Sequence, residues 1–252
     1  MRSPAYDTQL NIILVDIEGT TTPVDFVYKT LFPYASANIE SFLRGHFREK
    51  EIMSLVEQLH RQYKNDKEEE KLQLPPWIDD NGESQLRSAV AYCQWLISKD
   101  IKHTALKSLQ GKIWEEGYNM GELRGIVYRD VPPAFKRWSE QKRQICIYSS
   151  GSVLAQQLLF RTVSSGDLTA YIAAFFDTRV GAKPQSESYR KIAESLACNP
   201  CNVLFISDTM KEVKAALEAG MQAILCNRDS KASQLPGTNI VIIRSFDEVF
   251  PG

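Results

Sequence analysis

Ile12-Ile13-Leu14-Val15-Asp16-Ile17-Glu18-Gly19-Thr20 is the stretch whose reading decides the fold of this chain. Its first four residues are apolar, as in a short buried strand. Asp16 follows at once and Glu18 stands two positions on. Gly19 and three threonines, Thr20, Thr21 and Thr22, come next. A carboxylate at the carboxyl end of a buried strand is costly unless something pairs it. In open α/β sheets that end is where ligands bind. Asp16 is therefore expected at the mouth of a site, facing a metal ion or a phosphate.

Outward from this stretch the pattern changes. From Val24 to about Gly125, FVYKTLF, IESFLRGHF, EIMSLVEQLHRQY, SQLRSAVAYCQWLISKD and ALKSLQGKIWEEGYNM carry apolar residues at spacings of three and four. That is helical periodicity. Pro33, Pro75, Pro76, Gly82 and Gly111 punctuate it, and LPPWIDDNGE reads as a loop. From about Ile126 strands and helices alternate. Pro132-Pro133 opens a helix, and strands are expected at Gln144–Tyr148, in YIAAFFD, at Val203–Ser207, at Gln222–Cys226 and at Ile240–Ile243. Helices fall between them, the last stopping at Gly220. Such alternation gives a parallel sheet with right-handed crossovers. The expected fold is α/β: a doubly wound parallel sheet, residues 1–23 and 126–252, with an all-helical cap, residues 24–125, inserted after the first strand.

Composition narrows the class. The chain has 252 residues, 43% hydrophobic and 24% charged, ordinary for a globular protein with a substantial core. A net charge of −1 leaves no electrostatic footprint for nucleic acid or an anionic membrane. No apolar run approaches the roughly 20 residues of a spanning helix, and MRSPAYDTQLN is too polar to open a signal peptide. Five cysteines without a secretory signal argue for reduced thiols in the cytosol. Cys198-Asn199-Pro200-Cys201 has CxxC spacing, but it follows a helix and precedes a strand, and it reads as a turn. The run KNDKEEEK, Lys64 to Lys71, mixes both signs and reads as a solvated helix end or loop.

Four features fall at strand ends or in the loops that follow them: Asp16 with Glu18, Ser149 with Ser150, Lys183, and Asp208. Taken singly each has a plain structural reading. Asp16 or Asp208 could cap a helix, Ser149-Ser150-Gly151 could start one, and Lys183 could be a solvated loop lysine. Taken together they supply a carboxylate nucleophile, hydroxyl donors, a fixed cation and a second carboxylate. Phosphoryl transfer needs those parts. Magnesium is held by one or two carboxylates plus phosphate oxygens.

This combination resembles the haloacid dehalogenase-like hydrolases. The matching pieces are DIEGT at Asp16–Thr20, Ser149 in ICIYSSGS, Lys183 in GAKPQ, and Asp208 with Glu212 in ISDTMKE. Most members of that superfamily carry Asp at the second position of the first motif, where this chain has Glu18. DIEGTTTP, LFPY, QGKIWEEGY, YSSGSVLAQ and SESYRKIA are similar to one branch, the enolase-phosphatases or acireductone synthases of methionine salvage. The resemblance implies Asp16 as nucleophile and magnesium ligand. It implies Glu18 as a magnesium ligand through its main-chain carbonyl, its carboxyl left for proton transfer. Ser149 and Ser150 bind phosphate, Lys183 contacts phosphate and Asp16, Asp208 completes the Mg2+ site, and Glu212 supports it from one helical turn away.

The implied substrate is a small diketo phosphate, 2,3-diketo-5-methylthiopentyl-1-phosphate, which is enolised and then dephosphorylated. A capped magnesium phosphatase acting on another small ester would keep Asp16, Lys183 and Asp208 without the enolisation. A phospho-acceptor signalling domain would lack the hundred-residue helical insert. Trp77, Trp95, Trp114, Tyr118 and Met120 are expected in the cap core, with contact to a methylthio group as the functional alternative. His46, His60 and His103 are expected as surface or packing residues. A monomer is expected, because a closing cap already excludes water. The implied compartment is the cytoplasm, with the nucleus added in a eukaryote.

Overall fold

The computed structural model describes residues 10–68, 73–80, 82–101, 103–228 and 240–251. By internal contacts the chain forms two compact units, Met1–Phe26 with Arg124–Gly252, and Val27–Leu123.

The first unit is built on six parallel strands. They are β1 (Ile12–Val15), β2 (Gln144–Tyr148), β3 (Ile172–Phe176), β4 (Val203–Ser207), β5 (Gln222–Cys226) and β6 (Ile242–Ile243), in spatial order β3-β2-β1-β4-β5-β6. β1 lies at the centre, and Val15 is in register with Ile147 on one side and Ile206 on the other. All four of its side chains are buried, as expected of a strand covered on both faces. Alternation divides them between two cores. Ile12 and Leu14 join Tyr148 and Phe205 beneath Tyr189 and Ile192 of α8 (Ser186–Ser195) and Ala215 and Ala216 of α9 (Met210–Glu218). On the opposite face, Ile147 is in register with Phe175, against which Phe160 of α7 (Val153–Arg161) packs. Phe160 in turn meets Phe135 of α6 (Val131–Glu140).

The chain order makes β1/β4 the point where connections run to opposite sides. The carboxyl ends of those strands flank the crevice in which doubly wound sheets bind ligands. The expected doubly wound sheet is thus present, with β6 reduced to Ile242–Ile243.

The second unit is helical. A short turn, α1 (Val24–Phe26), runs into it as a π-helical turn, Val27–Leu31. Then follow α2 (Phe32–His46), α3 (Lys50–Glu68), α4 (Glu83–Ser98) and α5 (Thr104–Asn119). The π turn is absent from the sequence reading of FVYKTLF as plain helix. Pro33 has no N–H for the carbonyl four residues back, so the ladder slips there. Near the end of this turn Trp114 Nε1 donates to the Leu31 carbonyl at 2.8 Å. Trp114 and Tyr118 are buried as expected, whereas Met120 is 69% exposed. It lies just past the end of α5, before Gly121 at φ +77°, where helical periodicity no longer applies.

His60 stacks on Trp77 and meets Asp79 at 2.8 Å. His103 caps α5 by accepting the Ala105 N–H. Among the described residues no helix is long and apolar enough to cross a membrane. The CxxC segment is a turn, Pro200–Asn202, with Asn199 accepting the Cys201 N–H, and both cysteines are free thiols. Of the charge run, Lys64–Glu68 ends α3, and its last three residues lie outside the described segments.

Candidate active site

Asp16 is the first residue past β1, and it is 4% exposed. It caps no helix. The Lys183 ammonium donates to Asp16 Oδ1 at 2.5 Å and also lies 2.7 Å from Glu212 Oε2. Lys183 comes from the loop after β3. That loop is held where Tyr148 Oη donates to the Gly181 carbonyl at 2.9 Å and Ser188 Oγ to the Ala182 carbonyl at 2.8 Å. Burial alone would lower the Lys183 pKa, but the Asp16 and Glu212 charges outweigh it and hold the amine above its ordinary value. The solvated-lysine reading is therefore excluded: the side chain is 9% exposed and shared by two carboxylates.

Glu212, in the first turn of α9, comes closer than a supporting residue one turn away would suggest. It touches Lys183 directly and accepts from Ser207 Oγ at 2.9 Å. Ser207 Oγ also accepts the Thr209 N–H at 3.1 Å and lies 3.4 Å from Asp16 Oδ2. Burial, then the Asp16 charge, push the Glu212 carboxyl above the ordinary range, with Lys183 opposing.

Asp208 follows β4. Its N–H donates to Thr20 Oγ1 at 2.9 Å, and its carboxylate accepts from Thr209 Oγ1 at 3.0 Å rather than capping α9. Burial and the Asp16 charge raise its pKa. Gly19, at φ +69°, is required here, since a Cβ on it would be built into the Asp208 carboxylate. The loop between them is tight. Ile17 O accepts the N–H groups of Thr20, Thr21 and Thr22, and Gly19 N–H donates to Thr22 O at 2.8 Å. Glu18 is half-buried on this loop.

Ser149 and Ser150 follow β2, beside the end of β1. Ser149 is buried and its Oγ accepts the Gly151 N–H at 3.2 Å; the helix that follows is capped by Ser152 instead. Gln156 ties this loop down, donating to the carbonyls of Gly151 and Phe176.

The structure thus joins Asp16, Lys183 and Glu212 directly and sets Asp208 across Gly19 from them. Ser149 and Ser150 sit on the neighbouring strand end. Ser207 was missed by sequence reasoning because it reads as the last residue of an apolar strand. Its hydroxyl among aliphatics was the available signal.

A family model for haloacid dehalogenase-like hydrolases matches residues 10–220. Enolase-phosphatase E1 of Synechococcus elongatus is 46% identical over 240 residues, 95% of this chain and 98% of that protein. The chain belongs to the enolase-phosphatases of the haloacid dehalogenase-like hydrolases. Within this family, Enolase-phosphatase E1 of Drosophila erecta is 43% identical over 222 residues, 88% of this chain and 85% of that one. The crystal structure of the UTR4 protein from Saccharomyces cerevisiae matches with a TM-score of 0.74 at 31% identity, over 94% of this chain and 99% of that one.

Among the described residues no three Asp, Glu, His or Cys side chains gather as a ready metal cage. For an enolase-phosphatase this fits a hard cation bound by few protein oxygens, with water and phosphate completing its shell. Asp16 and Asp208 provide two carboxylates close enough for the charge of one to raise the other's pKa.

Proposed function

We propose that this protein converts 2,3-diketo-5-methylthiopentyl-1-phosphate to the acireductone 1,2-dihydroxy-3-keto-5-methylthiopentene plus phosphate, in methionine salvage. Near-full-length identity to enolase-phosphatases supports the substrate class. The observation that carries the chemistry is Asp16, buried and held on Lys183 at the mouth of the β1/β4 crevice.

In the first step a proton leaves C1 and the diketone becomes an enol phosphate. Glu18, on the loop beside Asp16, takes part in proton transfer in this step or the next. Asp16 then attacks phosphorus, the bond from phosphorus to the enol oxygen breaks, and an aspartyl phosphate forms. Water displaces the phosphate and restores Asp16. Lys183 neutralises charge on the phosphoryl oxygens and keeps Asp16 aimed. Ser149 and Ser150 donate to the phosphate. Magnesium, bound by Asp16, Asp208 and the Glu18 carbonyl, would supply Lewis-acid stabilisation of the enolate and the phosphoryl group. Free thiols at all five cysteines support a reducing compartment, the cytoplasm, for a monomeric enzyme.

The test is anaerobic incubation with the diketo phosphate, with magnesium and then with a chelator, following enol absorbance and phosphate release together. Magnesium-dependent release through a transient enol phosphate is expected. Release from generic esters with none from the diketo compound would overturn the substrate and leave a capped phosphatase. Glu18→Gln should abolish turnover while magnesium still binds, and near-normal turnover would remove its assigned role.

A further inference from the structure

The geometry points to Arg228 as a positioning residue that sets the spacing of the two metal-binding carboxylates, an inference that rests on the magnesium site proposed above. Arg228 lies just past the end of β5, outside every motif of the family resemblance. Its Nε donates to the Thr20 carbonyl at 3.1 Å, and its Nη2 grips the same oxygen. Nη1 donates to Asp130 Oδ2 at 2.6 Å and to the Arg244 carbonyl at 3.1 Å. The guanidinium is packed between the rings of Tyr128 and Phe246, at 4.2 and 4.8 Å from their centroids. Asp130 is fixed in turn, since its Oδ2 also accepts from Ser245 Oγ at 3.1 Å and from the Phe246 N–H at 2.5 Å.

This clamp acts on the catalytic loop. Two donors on one carbonyl fix the Thr20–Thr21 peptide plane, and the neighbouring Thr21 carbonyl is held by the Tyr128 N–H at 2.9 Å. With its backbone fixed, Thr20 presents Oγ1 to the Asp208 N–H. Gly19, one residue earlier, is the surface against which the Asp208 carboxylate rests. Arg228 therefore reaches Asp208 through Thr20 and Gly19, and Asp16 is four residues before its grip point.

Arg228 also lines a cavity of about 460 Å³ with Gly19, Asp208 and Tyr128, which invites its reading as a phosphate ligand. A guanidinium has five N–H donors. At least four are already engaged, two on Thr20 and two on Asp130 and Arg244. The planar fork is consumed in bracing the loop. A lysine, with its single point of charge, cannot span these acceptors.

The experiment is magnesium titration by calorimetry on the full chain and on Arg228→Met and Arg228→Lys, with circular dichroism to check folding. Both variants should fold and bind magnesium about 10- to 100-fold more weakly, as when outer supports of a metal site are removed. The magnesium requirement for turnover should rise in parallel, and KM measured at saturating magnesium should change little. Arg228→Ala should recover magnesium affinity when guanidinium is added, a response that general destabilisation would not give. Asp130→Asn, which keeps an acceptor but removes the charge, decides the matter if the Arg228 variants do not fold: it should weaken magnesium binding in the same direction. Unchanged magnesium affinity in the folded variants overturns the assignment to Arg228. Absence of magnesium binding by the parent protein overturns the metal site itself.

Discussion

Replacing Lys183 by Met tests whether one ammonium holds the carboxylates of the site together. Its Nζ lies 2.5 Å from Asp16 and 2.7 Å from Glu212, and the three side chains are 9%, 5% and 12% exposed. At an effective dielectric of about 20, each contact represents roughly 6 kcal/mol of attraction. Much of that is offset by the cost of removing the ions from water. Methionine keeps the stem and removes the charge, so the carboxylates stay buried while the attraction is lost. Truncating one partner of a buried pair costs about 3–5 kcal/mol. For a chain of this size that corresponds to a fall in Tm of about 6–20 °C. The assay is thermal and urea unfolding in chelator, so that no metal ion substitutes for the lysine.

The deficit has a definite pH dependence. Glu212 is already raised by burial and the Asp16 charge, and loss of Lys183 raises it further. A carboxyl with a raised folded pKa binds its proton more tightly folded than unfolded. Stability therefore grows as pH falls through the folded pKa toward the unfolded value of about 4.3. Lys183→Met should be most destabilised near about pH 8 and recover toward about pH 5. A deficit below about 1 kcal/mol at the higher pH, the size of an exposed pair, would refute the reasoning. So would an equal deficit at both.

Three further outcomes are expected. Gly19→Ala places a Cβ in the Asp208 carboxylate at a left-handed φ, so it should fold yet lose about tenfold or more in turnover and magnesium affinity; unchanged kinetics would contradict the tight fit. His46 sits between Glu49 and Glu116, and the Glu49 bond, against burial, holds its pKa above the ordinary value. Its contribution is full below the unfolded pKa of about 6.5 and is lost as pH rises through the folded value. The stability difference between parent and His46→Gln, from urea unfolding, should accordingly be larger at about pH 5.5 than at about pH 8.5. Inorganic phosphate should bind in calorimetry with magnesium and not with chelator, and equal binding in both would show that the carboxylates do not exclude an anion.

Much of this fold is legible because buried parallel strands leave unbroken apolar runs. β2, β4 and β5 span the residues expected from the sequence, and Ser149 and Asp208 follow the first two directly. What was not legible depends on contacts distant in sequence. The π turn at Val27–Leu31 ends on a carbonyl, that of Leu31, which accepts from Trp114, 83 residues away. Glu212 reads as one turn removed from Asp208, and only the course of the loop carrying Lys183 brings the ammonium onto it. Arg228 carries no local signal, because its partner is a backbone carbonyl 208 residues away and any residue could have provided that oxygen.

The charge balance of the crevice explains why these supports are so numerous. The Asp16 charge acts on both Asp208 and Glu212, and Lys183 brings one ammonium, which it gives to Asp16 and Glu212. Asp208 is steadied instead by neutral groups, the hydroxyls of Thr20 and Thr209 and the packing of Gly19. An excess of negative charge in a site proposed to receive a phosphate is unfavourable unless a further cation enters, and a divalent one offsets it. The lysine then has a task that magnesium does not duplicate. It holds Asp16 in place before any ion or substrate arrives, and it does so from a loop independent of the one carrying Asp208. Neutral hydrogen bonds at Asp208 complement that arrangement, because a fixed cation there would compete with the metal for the same oxygens. In this reading Arg228 keeps its charge away from the carboxylates, spends it on Asp130, and applies to the loop only its geometry.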